Sequence, residues 1–430
     1  MQLKNYSFQL HDIINKFAIW VLCFLILILP IAHTATLRAI SFICSLILVL
    51  FYYLITKNFR WINTSFELPF LFFFIIALLS LPTSVDFSES LKEIKGELIK
   101  PIVLFYLTYY AIQKNSDGMA LIKALFIGSF IFSLYSFYDF YIQKGQFFSV
   151  VYKAGGLRDP GGGEVAALYH TMVIPFIILK LLYSQIKKER ILLFFLLIIN
   201  LLAIHITFVR AGMFALFFQV IFISLLLLKD GKWLLNIFII VILTLISFVY
   251  IENKMFREMH TEKIPSIKEY LKMSPEEIAG KNPSSMRQRL AMWKTAIEKI
   301  LENPFYPHGY GRFLFGKTVR NENNKHFIYP QTHNTFIGIT FELGIQGLLV
   351  FLWMITTFFI VCLKYWIKSN DSLIKYFSAS LMTMMIGYWI NNFFGSFDGD
   401  DSKQLFMMLL GIGMAVMHRI PKERDIANQK

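Results

Sequence analysis

Apolar residues recur in runs of about 18 or more along most of the chain, each long enough to cross ~30 Å of hydrocarbon as a helix. The runs do not alternate in ten-residue segments, which argues against a β-barrel. Hydropathy places about twelve spans, near 17–33, 36–55, 67–82, 97–113, 119–142, 164–184, 191–209, 211–229, 233–251, 334–364, 372–392 and 403–418. The expected fold class is therefore an all-α polytopic membrane protein. One long polar stretch, about Ile251 to Asn334, interrupts the pattern. The chain is thus expected to divide into helices one to nine over 1–250, a long loop carrying the active-site helices over 251–333, and helices ten to twelve with a tail over 334–430.

Inside the insertion the pattern changes to the period of surface helices. Ser274, Pro275 and Glu277 in SPEEIAG form a capping box with proline at the first helical position. Ser284 and Ser285 can cap the next helix. There Met286, Leu290, Trp293, Ile297 and Ile300 recur at helical spacing and predict one buried face. At ~100° per residue Arg289 lies on the shoulder of that face and Arg287 on its other edge. The segment then turns at Asn303-Pro304 and at Gly309–Gly311 before the next apolar helix begins at Asn334.

Composition agrees with the membrane assignment, with 56% hydrophobic and 16% charged residues in 430. The net charge of +14 fits cytoplasmic topology signals better than a nucleic-acid partner, because no short basic patch interleaves with aromatics. Lys57, Arg60, Lys114, Lys187, Lys188, Arg190, Lys229, Lys232, Lys364, Lys368 and Lys375 fall in loops on the side of the N-terminus. By the positive-inside rule those loops are cytoplasmic and the insertion faces outward, which in a bacterium means the periplasm. The first apolar run lacks a small-residue cleavage site and is expected to be a membrane helix. Cys23, Cys44 and Cys362 lie inside apolar runs and form no disulfide or metal-binding spacing.

Four outward segments hold residues that can carry chemistry. His333 sits at the outer boundary, where an imidazole can accept a hydroxyl proton; it could equally be a neighbour of the helix cap. Arg210, in ITFVRAGMFALFF, is flanked by membrane helices and must snorkel, pair or bind an anion. Arg158, in GGLRDPGGGEVAALYH, could grip phosphate with a bidentate fork among glycines, or the segment is a plain flexible turn. No GxxxxGK[ST] pattern is present. With Arg287 and Arg289, these arginines beside one histidine suggest a phosphate-bearing, lipid-linked substrate. Asn334, Trp293 and Asp398 are possible sugar or acceptor contacts. Glu342, nine residues after His333, falls on the opposite helix face and reads as structural, satisfied by a neighbouring helix.

The order VRAGMFAL, RLAMW, HGYGRF and HNTFIGITFELGIQG resembles the O-antigen ligase superfamily, which includes O-antigen polymerases and protein O-oligosaccharyltransferases. The resemblance implies a GT-C-like glycosyltransferase of the bacterial inner membrane, inverting and working without metal, cofactor or nucleotide sugar. It implies a donor glycan on undecaprenyl pyrophosphate, a lipid A-core acceptor and surrounding membrane lipids as partners. By similarity, Arg210 and Arg289 would bind the pyrophosphate, with Arg158 and Arg287 beside them, and His333 would activate the acceptor hydroxyl. A single dominant outward loop points to ligase over polymerase, and the length lacks the C-terminal region common in protein-glycosylating members. A transporter without chemistry would instead show repeats and polar breaks at the bilayer midplane, and no such repeat is evident.

Overall fold

The computed structural model describes residues 2–31, 33–57, 59, 61, 63–143, 163–227, 266–279, 285–321, 331–395 and 400–428. Among them every regular element is helical. In order these are α1 (Gln2–Ile28), α2 (Ala35–Thr56), α3 (Glu67–Leu79), α4 (Phe87–Glu93) running through a π-helical turn (Ile94–Ile99) into α5 (Lys100–Ala111), and α6 (Asn115–Phe137). There follow α7 (Gly163–Tyr183), α8 (Lys187–Ile206) and α9 (Arg210–Leu226), then the insertion helices α10 (Ile267–Lys272), α11 (Pro275–Ala279), α12 (Ser285–Glu302) and α13 (Leu314–Asn321). The chain closes with α14 (Thr335–Lys368), α15 (Ser372–Phe393) and α16 (Asp400–Asn428).

Each expected span coincides with one of these helices, except the one near 233–251, which lies outside the described residues. Six of the described helices are long and apolar enough to cross a membrane, and α3 and α9 are shorter apolar helices. The chain is an all-α multi-pass membrane protein. Large apolar side chains along α1, α2 and α8 remain exposed, as a lipid-facing surface requires: Trp20, Leu54 and Leu192 are 68%, 72% and 69% accessible.

Polar contacts gather at the two ends of the bundle. One end joins Lys114 to Asp12 (3.1 Å), Tyr53 to the Tyr110 carbonyl (3.0 Å) and Lys180 to Glu189 (3.4 Å). The other end holds the insertion. There Arg38 pairs with Asp401, and Lys403 pairs with Glu97 at 3.0 Å, the latter two side chains being 2% and 4% exposed. Lys403 also donates to the Glu97 carbonyl at 3.0 Å and lies 3.5 Å from the Tyr310 hydroxyl. Tyr310 is buried and its N–H donates to Ser80 Oγ at 3.1 Å, so a residue of the insertion plugs into the membrane bundle. Lys317 on α13 adds a 2.7 Å pair with Asp86.

The apolar run from 334 is not one continuous helix. Gly344 adopts φ 73° and ψ 178°, and its left-handed backbone breaks the hydrogen-bond ladder of α14. Loop 304–309 splices the break. The His308 imidazole Nδ1–H donates to the Phe341 carbonyl at 2.9 Å, and the Gly309 N–H donates to the Glu342 carbonyl at 3.1 Å. Ile345 N–H donates to the Pro304 carbonyl at 2.9 Å, and Gln346 Nε2 donates to the Leu343 carbonyl at 2.7 Å. Glu342 accepts the Gly311 N–H at 3.0 Å, just beyond this loop. The glycines of HGYGRF follow from the same packing: Gly309 has φ 101°, and a Cβ there would lie 2.4 Å from Ser84 Oγ.

The insertion builds a small core of its own around the start of α14, with Ile278, Ala291, Met292, Ala296, Phe315 and Val319 closing on Phe341. Both N-cap residues and glutamates form capping boxes at α10 (Ser266, Glu269) and α11 (Ser274, Glu277), the second as its sequence predicts. Of the two serines expected to cap α12, Ser284 lies outside the described residues and Ser285 is the first residue of the helix. The buried face of α12 is turned from the expected one. Ile297 is 39% exposed, while Ala291, Met292, Thr295 and Ala296 are buried, because the small alanines let the helix backbone approach Phe341 and Ile278 closely.

Removing Lys403 strands a buried carboxylate. Lys403→Met is expected to destabilise the protein by about 3–5 kcal/mol in detergent melts, and Glu97→Leu with Lys403→Met to recover most of the loss. A single variant melting like wild type contradicts the buried pair's role.

Candidate active site

His333 is delivered by a strained turn. Its φ of 49° is left-handed, a region a non-glycine residue occupies only when its surroundings impose it. They do so from both sides. Trp293 Nε1–H on α12 donates to the Thr332 carbonyl at 3.0 Å, and Thr332 Oγ1 donates to the Asn334 carbonyl at 3.0 Å. Asn334 then starts α14, its Oδ1 accepting the N–H groups of Phe336 (3.0 Å) and Ile337 (3.1 Å). The 34 residues of α14 exceed what a bilayer core requires, and the part beyond Gly344 suffices to cross it. His333 therefore stands above the spanning segment.

Two charges act on the His333 ring. Burial pushes its pKa below the ordinary imidazole value of 6.5; Glu164 pulls it up and Arg289 pushes it further down. The ring is thus neutral at pH 7 and able to accept a proton. Arg289 Nη2 and Glu164 Oε1 form an ion pair at 2.8 Å, joining α12 to the first turn of α7. Three segments far apart in the chain so meet at one place: the start of α7, the second turn of α12 and the residue before the N-cap of α14.

Of the other arginines, Arg210 begins α9 and is exposed. Its neighbour Gly212 packs so closely on Ala167 that a Cβ there would lie 2.9 Å from the Ala167 Cβ. Ala167 is one turn beyond Glu164, so the start of α9 packs beside the start of α7. Arg287 stands half-buried in the first turn of α12. The candidates Arg158 and Asp398 lie outside the described residues. The neighbouring Asp401 is buried and paired with Arg38, which removes it from sugar contact. Trp293 and Asn334 are engaged as supports of His333, with Asn334 only 2% exposed.

Glu164 escaped sequence reasoning. Its only signal was an acidic residue in the first turn of a helix that follows the glycine-rich GGLRDPGGG, a position that also serves a helix dipole. Thr332 was likewise hidden, since its role depends on the turn it braces.

Trp293→Phe keeps the ring packing against Phe393 (6.0 Å) and removes the bond to Thr332. It is expected to cost about 1 kcal/mol and to raise hydrogen exchange over residues 331–337; unchanged exchange contradicts the bracing of His333.

Comparison with known proteins bears on this same part of the chain. Residues 192–352 match the family described as O-antigen ligase. A Rickettsia typhi protein described as a "putative polysaccharide ligase" is 28% identical over 159 residues, which are 35% of this chain and 36% of that protein. The aligned part is therefore little more than a third of the relative's length. Arg210, Arg287, Arg289 and His333 all fall within residues 192–352, the segment that is similar to the O-antigen ligase family.

Proposed function

We propose that this protein transfers a polysaccharide, an O-antigen, from undecaprenyl pyrophosphate to a hydroxyl of a lipid A-core oligosaccharide, at the periplasmic face of a bacterial inner membrane. The observation that carries the reading is the meeting of Arg289, Glu164 and a neutral, half-buried His333 at the insertion end of the bundle. The family match and the relative's description as a ligase support the same class of reaction.

A pyrophosphate is already a good leaving group, so the protein must stabilise its charge, position the acceptor and take one proton. Arg289 and Arg210 grip the pyrophosphate, with Arg287 and Arg158 completing the anion site. Guanidinium groups keep their charge at every working pH and fit phosphate oxygens bidentately. His333 accepts the acceptor's hydroxyl proton as that oxygen bonds to the anomeric carbon. The bond from the anomeric carbon to the pyrophosphate oxygen breaks on the far side, its electron pair leaving with the lipid pyrophosphate. The product linkage has inverted configuration. No step calls on a metal or a cofactor.

The test is transfer by the purified full chain from a carrier-linked glycan to lipid A-core. His333→Ala is expected to lose about 100-fold or more in rate while remaining folded, and Arg289→Ala to raise the donor KM, with lysine rescuing poorly. EDTA leaves transfer intact. A fully active His333→Ala variant removes the base assignment. Because burial holds His333 below 6.5, transfer is expected to persist at that pH and to fall only as pH drops through the lowered value. A half-maximal point at or above the ordinary imidazole value contradicts the neutral resting ring.

A further inference from the structure

We infer that Glu164 is a positioning residue that changes partners during the reaction. The donor's pyrophosphate displaces its carboxylate from Arg289, and the released carboxylate then serves the His333 imidazole. The inference rests on the transfer reaction proposed above and adds to it an order of events.

The exchange follows from how the pair is built. Arg289 is held on the inner side, its side chain 19% exposed, while Glu164 is 56% exposed on the open side. An anion reaching Arg289 from solvent meets Glu164 first. An ion pair with one partner this exposed is weak, and a pyrophosphate brings more charge and two sets of oxygens to the same guanidinium. The carboxylate remains stabilised after it is released. It is the second residue of the 21-residue α7, where the free N–H groups of the first turn favour a negative charge.

His333 cannot follow the donor, because Trp293 and Thr332 fix its backbone on either side. The mobile member is the glutamate, with three rotatable side-chain bonds. In the resting arrangement Glu164 and Arg289 pull the ring in opposite directions, and burial leaves it neutral. That is the form able to take a proton. Once pyrophosphate offsets Arg289 and frees Glu164, the surroundings favour imidazolium, the form His333 must reach as the acceptor hydroxyl gives up its proton. The base therefore gains its counter-charge only with donor in place, and a proton is not drawn from water or acceptor in its absence.

Glu164→Gln separates this role from a prop for Arg289. The probe is inorganic pyrophosphate, titrated into the detergent-purified full chain, with steady-state transfer measured alongside. Loss of the competing carboxylate is expected to tighten probe binding roughly fivefold while kcat falls roughly tenfold for want of the counter-charge. Tighter binding cannot come from misfolding. Weaker or unchanged binding overturns the exchange, since a prop would lose Arg289 its orientation. An unchanged kcat overturns the service to His333. If wild type and Arg289→Ala both fail to bind pyrophosphate, the donor assignment itself falls, which is a different result from either.

Discussion

The break at Gly344 is the constraint on which the candidate site depends. A helix interrupted near a membrane leaves carbonyl and N–H groups that lipid cannot satisfy. In this chain they are satisfied by residues 304–309, which lie earlier in the sequence, within the polar insertion. That splice ties the insertion to α14 at the level where α14 leaves the spanning region. Phe341, just above the break, becomes the centre of the insertion's own small core, and α12 packs on it. Arg289 and Trp293 are carried by α12, so their register with His333 is set by the same splice.

A second anchor lies beside the first. Tyr310 is buried between Ser80 and the Glu97–Lys403 pair, and the π-helical turn at 94–99 presents Glu97 toward α16. A buried ion pair is a poor source of stability by itself, yet removing either partner is costly. It therefore fixes one arrangement of the loop more than it strengthens the bundle. Between Tyr310 and Gly344 the chain from 304 to 311 has little freedom, and the site above inherits that rigidity.

The scaffold was legible because its physics is one-dimensional. Apolar runs longer than a bilayer's thickness need no tertiary information, and helices stand at every expected span within the described residues. The capping box at Ser274 was equally local. What the sequence hid was tertiary in origin. FELGIQG reads as a smooth apolar helix, and nothing local indicates that Gly344 turns left-handed, since the compensating donors come from HGYG. The face of α12 was displaced because Ala291 and Ala296 are too small to register as a stripe, although smallness is what permits close contact. His333 and Arg289 were visible as candidate chemistry. Glu164, which joins them, was not, because an exposed glutamate after a glycine run reads as an ordinary helix start.

The fate of carrier-linked polymer in a host lacking the chain is the sharpest test of the proposed transfer of a finished polysaccharide from a lipid carrier to a lipid A-core. Extraction of lipid-linked glycans and lipopolysaccharide from a deletion strain should show long chains accumulating on the carrier and core lipopolysaccharide without polymer. Normal polymer-bearing lipopolysaccharide, or accumulation of single repeat units only, would contradict it.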